Sequence, residues 1–301
     1  MTDTIAVGFD GSLESRTAAE WAAREAKLRG LSVKLAQVWD PVPEPMAQAP
    51  VLGAETHQHW TEQVLREASE NLRQHHPGVE VTTEQLSGSP AQALADTAKD
   101  ADMLVLGSRG LARIGGFLVG SVGLSTLAHT DRPVVVVRAA GQPTDQPEAD
   151  PADTPSGAAQ PRPVLLGLDT SHPNDAPIDF AFGAAALRGV PLRVTHGWYP
   201  PFCYAYGAAP EPAVIERVAQ GDAATLTEVI GPWQRKHPDV EVVTESHCSS
   251  PSLLLIEGSR DASLVVVGRR IRHSSLGSHI GSVTHAVLHH AAAPVAVVAH
   301  D

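Results

Sequence analysis

A doubly wound α/β fold, built twice along one chain, is the architecture this sequence predicts, and three observations predict it. Short, near-continuous runs of Val, Ile and Leu alternate with stretches of helical length and spacing, the pattern of a parallel sheet covered by helices on both faces. The second half repeats the first: Val7-Gly8-Phe9-Asp10 returns as Leu166-Gly167-Leu168-Asp169, Trp39 as Trp198, and His76-Pro77-Gly78-Val79 as His237-Pro238-Asp239-Val240. Apolar residues make up 43% of the 301-residue chain but aromatic ones only 4%, a balance that suits cores packed from Ala, Val and Leu.

The elements of the first copy follow in order. Thr4–Phe9 is a short apolar run and reads as a strand. Leu13–Arg29 has helical spacing and is closed by Gly30, a residue able to take the left-handed cap. Ser32–Val38 is again strand-like, and Glu55–His75 is a helix that stops before Pro77. Val79–Glu84 alternates as a strand does, Pro90–Lys99 is a short helix with proline at its start, and Met103–Leu106 is a buried strand. Ser121–His129 supplies the last helix and Pro133–Val137 the last strand. Each copy is therefore expected to hold a five-stranded parallel sheet flanked by four helices.

The repeat offset is 159 residues at Asp10 and Trp39 and 161 from His76 onward. A single two-residue length change therefore falls between Trp39 and His76, where the Pro-rich stretch 40–54 lies. Residues 139–163 are rich in Pro, Ala, Asp, Gln and Gly and nearly lack large apolar side chains. Such a segment buries too little surface to repay its ordering entropy, so it reads as a linker. The expected division is a first domain over 1–140, a linker over 141–161 and a second domain over 162–301.

Charge and composition exclude several classes. A formal net charge of −12 argues against a nucleic-acid partner and against adsorption to an anionic membrane. Two cysteines, Cys203 and Cys248, are too few for a disulfide framework or a four-cysteine zinc site. Met1-Thr2-Asp3-Thr4 leads straight into an apolar run with no basic segment, and no run reaches the length of a membrane span. A soluble cytoplasmic protein is the expectation. The fifteen histidines are scattered, and the adjacent pairs His75-His76 and His289-His290 sit at helix ends, where they compensate the dipole. His57 and His59 lack a third ligand nearby, so no metal cluster is expected. Trp39 and Trp198 end equivalent strands and read as core residues.

The chemistry is concentrated in Gly107-Ser108-Arg109-Gly110, followed after nine residues by Gly120-Ser121-Val122. This segment leaves a buried strand, crosses a loop and opens a helix. Glycines there let backbone N–H groups approach an anion, and the helix N-terminus adds a favourable dipole. The Ser121 hydroxyl is placed to donate to a phosphate oxygen or to cap the helix. Gly8 closes the first strand, followed by Asp10, Gly11 and Ser12. In a doubly wound sheet the ligand crevice lies at the carboxyl ends of the strands, where the order reverses. Asp10 and Gly107 are both at such ends, and a carboxylate there can accept from ribose hydroxyls or help hold Mg²⁺ beside phosphates.

Gly-x-x-Gly, nine residues, then Gly-Ser, with Asp-Gly-Ser after the first strand, resembles the nucleotide-binding pattern of the universal stress protein family. Gly88-Ser89-Pro90 before the third helix is similar to that family too, and the resemblance covers the whole chain apart from the linker. It implies a sheet order of 3-2-1-4-5 and ATP, with Mg²⁺, as the ligand. Carried over, it implies Asp10 on ribose or metal, Val38 against adenine, and Gly107, Arg109, Gly110, Gly120, Ser121 and Val122 around phosphates and ribose. It also implies pairing through the last strand, here between the copies of one chain at Pro133–Val137 and Pro294–Val298, with a homodimer as the other form. The corresponding set in the second copy is Asp169, Gly268, Gly281, Ser282 and Val283, with Mg²⁺ at Asp169 as at Asp10.

The second copy departs from the pattern. Ile271 stands where Gly110 stood, Ser249 replaces Gly88, and Gly197 replaces Val38. A β-branched residue resists positive φ and its side chain crowds a phosphate, while Arg269, Arg270 and Arg272 add charge that could bind phosphate in another way. No Gly-Lys-Ser/Thr and no Gly-x-Gly-x-x-Gly after the first strand occur, which excludes P-loop and dinucleotide sites. No general base is placed to activate a second substrate. The expected function is a nucleotide-dependent regulator of stress response or growth. The alternatives are a slow ATPase or phosphotransfer enzyme using Asp10, and an interaction scaffold with vestigial sites.

Overall fold

The computed structural model of the chain describes residues 3–39, 54–111, 116–139, 161–199, 212–271 and 280–301. These divide into two units, one for each copy.

In the first unit, β1 (Thr4–Gly8) forms the centre of the sheet, and its Ile5, Ala6 and Val7 are wholly buried. It runs parallel to β2 (Ser32–Trp39) on one side and to β4 (Met103–Leu111) on the other. β3 (Val81–Ser87) adds outside β2, and β6 (Val134–Arg138) outside β4. Counting only the parallel strands, the order is 3-2-1-4-5. The helices are α1 (Leu13–Arg29), α2 (Ala54–His75), α3 (Pro90–Lys99) and α4 (Ser121–His129). Ala18, Ala19, Ala22, Ala23 and Ala26 form the buried stripe of α1, short side chains that let a helix lie close on a sheet. The helix starts under a Ser12 cap, whose hydroxyl accepts from the Ser15 N–H at 3.2 Å. It ends at Gly30, in the left-handed region at φ 68°, with its N–H donating to the Ala26 carbonyl.

The second unit repeats this plan. β7 (Val164–Gly167) pairs with β8 (Leu192–Gly197) and β10 (Leu264–Arg270). β9 (Val242–His247) lies outside β8, and β11 (Val295–His300) outside β10, all parallel. Its helices are α5 (Asp175–Arg188), α6 (Pro212–Lys236), α7 (Pro251–Gly258) and α8 (Ser282–His290). The two five-stranded parallel sheets and the four helices described in each unit are those expected.

Several boundaries differ from expectation, and one strand is additional. β3 begins at Val81, because Val79 belongs to the turn that ends α2, its N–H donating to the His76 carbonyl at 3.1 Å. β4 runs on past Leu106 to Leu111, where Arg109 and Gly110 face Leu118 and Phe117 of an antiparallel strand, β5 (Gly116–Leu118). That strand was not expected, since three residues are too few to show a period. Most of the Pro-rich stretch, nearly all of the linker, the side chains of His57 and His59, Arg272 and Cys203 lie outside the described parts. Cys248 is an exposed free thiol.

Candidate functional site

The chain leaves β1 through Phe9, whose N–H still bonds to the Ala36 carbonyl of β2 at 2.9 Å, and turns at once. Asp10 makes the turn: its Oδ1 accepts from the Ser12 N–H at 3.0 Å and from the Ser12 hydroxyl at 2.5 Å. Gly11 sits between them at φ 80°, a conformation that suits glycine. The same Ser12 oxygen caps α1, so the helix start and the Asp10 carboxylate are held by one side chain.

Gly107, on β4, lies against the first turn of α1. A Cβ at this position would stand 2.4 Å from the Glu14 carbonyl carbon and 2.8 Å from the Ser15 nitrogen. The glycine is therefore required by helix-on-strand packing, and not only by the anion approach expected of it. Gly120 is the opposite case. It caps α4 with extended backbone at φ −61°, and nothing lies within 4 Å of where its Cβ would be. The N–H groups of the first turn of α4 have no partner within the helix. Ser121 is the first helical residue, one past the Gly120 cap.

These pieces enclose a cleft of about 330 Å³ at the carboxyl ends of β1, β2 and β4. Of the expected residues, Gly8, Asp10, Ser12 and Val38 line it from one side and Gly107, Gly120, Ser121 and Val122 from the other. Gly11 does not face it. Arg109 and Gly110 lie further along β4, in the ladder with β5. Pro90, of the expected Gly88-Ser89-Pro90 motif, is in the wall. Gly88 turns the chain at φ 119° and bonds back to the Trp39 carbonyl at 3.1 Å.

Sequence reasoning missed several lining residues. Ala36, Leu94 and Leu106 join Val38 and Val122 as apolar surface, and Glu14, whose backbone carbonyl lies against Gly107, is also in the wall. Leu94 and Leu106 were readable only as core positions, because the spacing that buries a residue does not say that a cleft opens beside it. The arrangement is two-ended. One end is apolar and suits a flat ring; the other offers the N-terminus of α4, which favours an anion. No Lys or Arg is among the described lining residues, so a polyphosphate here meets no side-chain cation from them. A divalent cation beside Asp10 would supply positive charge, and a carboxylate oxygen suits Mg²⁺.

In the second unit the expected residues occupy equivalent places. Gly268 is on β10, Gly281 caps α8, and Ser282 and Val283 open that helix. Asp169 follows β7 and accepts from the Ser171 N–H at 2.9 Å; its other oxygen is 3.6 Å from His172 Nδ1. The conformational objection to Ile271 does not hold. Gly110 lies in a strand ladder, and no described non-glycine residue has positive φ. Arg269 is buried rather than turned to a ligand, whereas Arg270 is exposed. Among the described residues no group of His, Cys, Asp and Glu is arranged to hold a metal ion on its own.

Fold and cleft together define the class: a tandem of doubly wound α/β units with a ligand-sized crevice at the strand ends of the first. The family is fixed by comparison. The universal stress protein family matches residues 1–138 and again 161–299, and the chain belongs to that family. It is 33% identical over 300 residues to a universal stress protein of Mycolicibacterium smegmatis, covering 98% of this chain and 96% of that one. It is 32% identical to a universal stress protein of Mycobacterium tuberculosis, over 97% of this chain and 94% of the relative. Among solved structures, a universal stress protein from Archaeoglobus fulgidus superposes over the full length of both chains with a TM-score of 0.70 at 16% identity, which is a likeness of fold. No described helix is long and apolar enough to cross a membrane.

Proposed function

We propose that the first unit binds ATP with Mg²⁺, and that the chain acts as a nucleotide-dependent regulator of stress response or growth. The observation that carries this reading is the two-ended cleft. The adenine ring lies in the apolar part between Val38, Leu94 and Leu106. The phosphates reach the open N-terminus of α4 at Gly120, Ser121 and Val122, where backbone N–H groups donate to them. Asp10, fixed by Ser12, accepts from ribose or meets the metal, and Mg²⁺ supplies positive charge beside the phosphates. The family pattern assigns Arg109 and Gly110 to the phosphates, although they stand on the strand that leads on past the cleft.

Regulation follows if ATP binds one conformation more tightly than another, since a ligand moves an equilibrium only by its differential affinity. The described lining residues include no histidine, cysteine or lysine, and we favour a sensor over a transferase. The test is to denature the purified chain and identify what it releases. Release of adenine nucleotide, or its uptake by stripped protein, is expected. A folded chain that neither carries nor takes up nucleotide sinks the proposal.

A further inference from the structure

The second unit keeps the aspartate and the glycine-serine helix start, so the end of β8 decides whether it holds a base as well. In the first unit β2 finishes with Ala36 and Val38 on the cleft side, and strand register sets Val38 beside Leu86 of β3. Ala36, Val38 and Leu86 are apolar, and Glu84, the counterpart of Glu245, is held by Lys34 at 3.1 Å. The equivalent positions of the second unit are Thr195, Gly197 and His247, with Gly197 beside His247. The Thr195 hydroxyl donates to Glu245 Oε2 at 3.3 Å, and the same carboxylate oxygen lies 3.8 Å from His247 Nε2. A stacked ring would desolvate these groups without replacing their hydrogen bonds, an unfavourable exchange.

Space is a separate observation. Val38 has room for its whole side chain at the mouth of an open cleft. At Gly197 even a Cβ would stand 2.8 Å from the Ser249 carbonyl oxygen, 2.8 Å from Pro251 Cα and 2.9 Å from Pro251 N. All three are backbone or ring atoms of the segment that leads into α7, so no flexible side-chain end can swing aside. The segment before α3 is held differently in the first unit: Gly88, at φ 119°, bonds to the Trp39 carbonyl. Ser249, in its place, has no left-handed option at low cost, and its N–H turns instead to the His247 carbonyl at 2.8 Å.

We propose that the chain takes a single nucleotide, in the first unit, and that Gly197 together with Thr195 and His247 closes the second unit's slot to a base. This rests on the nucleotide reading of the first cleft. The second unit then keeps the family fold while its strand ends pack on themselves.

Counting sites tests it. Stripped full-length chain is dialysed to equilibrium against labelled ATP with Mg²⁺, alongside Val38→Glu, which sets a carboxylate in the first unit's apolar wall, and Gly120→Trp, which fills the open space before α4. Saturation at one nucleotide per chain is expected, falling to none in both variants with circular dichroism unchanged. Saturation near two, or a site that survives in both variants, overturns the single-site proposal and leaves nucleotide binding standing. No uptake by the unaltered chain overturns both, and the zero count tells that failure from the other.

Discussion

Gly107 and Gly120 show how one residue type serves two purposes within a single motif. At Gly107 any side chain meets the backbone of α1, whereas at Gly120 it meets open space. Gly107→Ala is therefore expected to destabilise the first unit by about 1–3 kcal/mol through overpacking, read as a lower denaturation midpoint. Gly120→Ala meets no such contact and should cost only the loss of a glycine cap, about 1 kcal/mol or less. Ser12→Ala removes the α1 cap and the hydroxyl bond to Asp10, leaving only the backbone N–H to hold that carboxylate. It should cost about 1 kcal/mol of stability and also weaken ATP·Mg binding, which calorimetry would separate from unfolding. Asp10→Asn keeps the shape and removes the charge; loss of a charged hydrogen bond or metal contact of about 1.5–3 kcal/mol would appear as about tenfold weaker binding or more. The sequence placed all of these residues near one another because strand ends converge in a doubly wound sheet. It did not reveal why each glycine is a glycine, since that depends on what packs against it. The same limit applies to Ile271, suspect by residue type and acceptable once Gly110 is seen in a strand ladder.

At the scale of elements, the parallel strands were legible because they are buried on both faces and read as unbroken apolar runs, as Val134–Val137 does. β5 was not, and the end of β4 was drawn short for the same reason: an antiparallel pair of three residues leaves no period to detect. Helix α8 shows an element whose electrostatics can be tested. His285 and His289 lie one turn apart with ring centroids 4.4 Å apart. Partial burial, followed by repulsion from His289 and His290, holds the His285 imidazole below its ordinary pKa. The folded chain therefore takes up this proton less readily than the unfolded chain. Stability should fall as pH drops through and below the ordinary histidine value of about 6.5. Because His285 is largely exposed, the effect should be small. His285→Gln should lessen the shift in urea midpoint between neutral and mildly acidic buffer; an unchanged shift would mean that the pair does not contribute.

Over the whole molecule, the internal repeat made the tandem plan readable, while the difference between the copies emerged only from packing at Val38 and Gly197. Each unit buries a core of its own, so nucleotide should stabilise the unit that binds it. At a ligand concentration a hundred times Kd, mass action adds about 2.7 kcal/mol. A melting scan with ATP·Mg should raise the transition of the first unit and leave that of the second where it was. The most direct measurement is a calorimetric titration of the stripped, full-length chain with ATP·Mg, repeated on Gly120→Trp. Saturable binding at one nucleotide per chain, abolished in Gly120→Trp while the fold is retained, is the predicted result. A folded, stripped chain that gives no binding heat at any of several temperatures and no nucleotide uptake would contradict the nucleotide cleft itself.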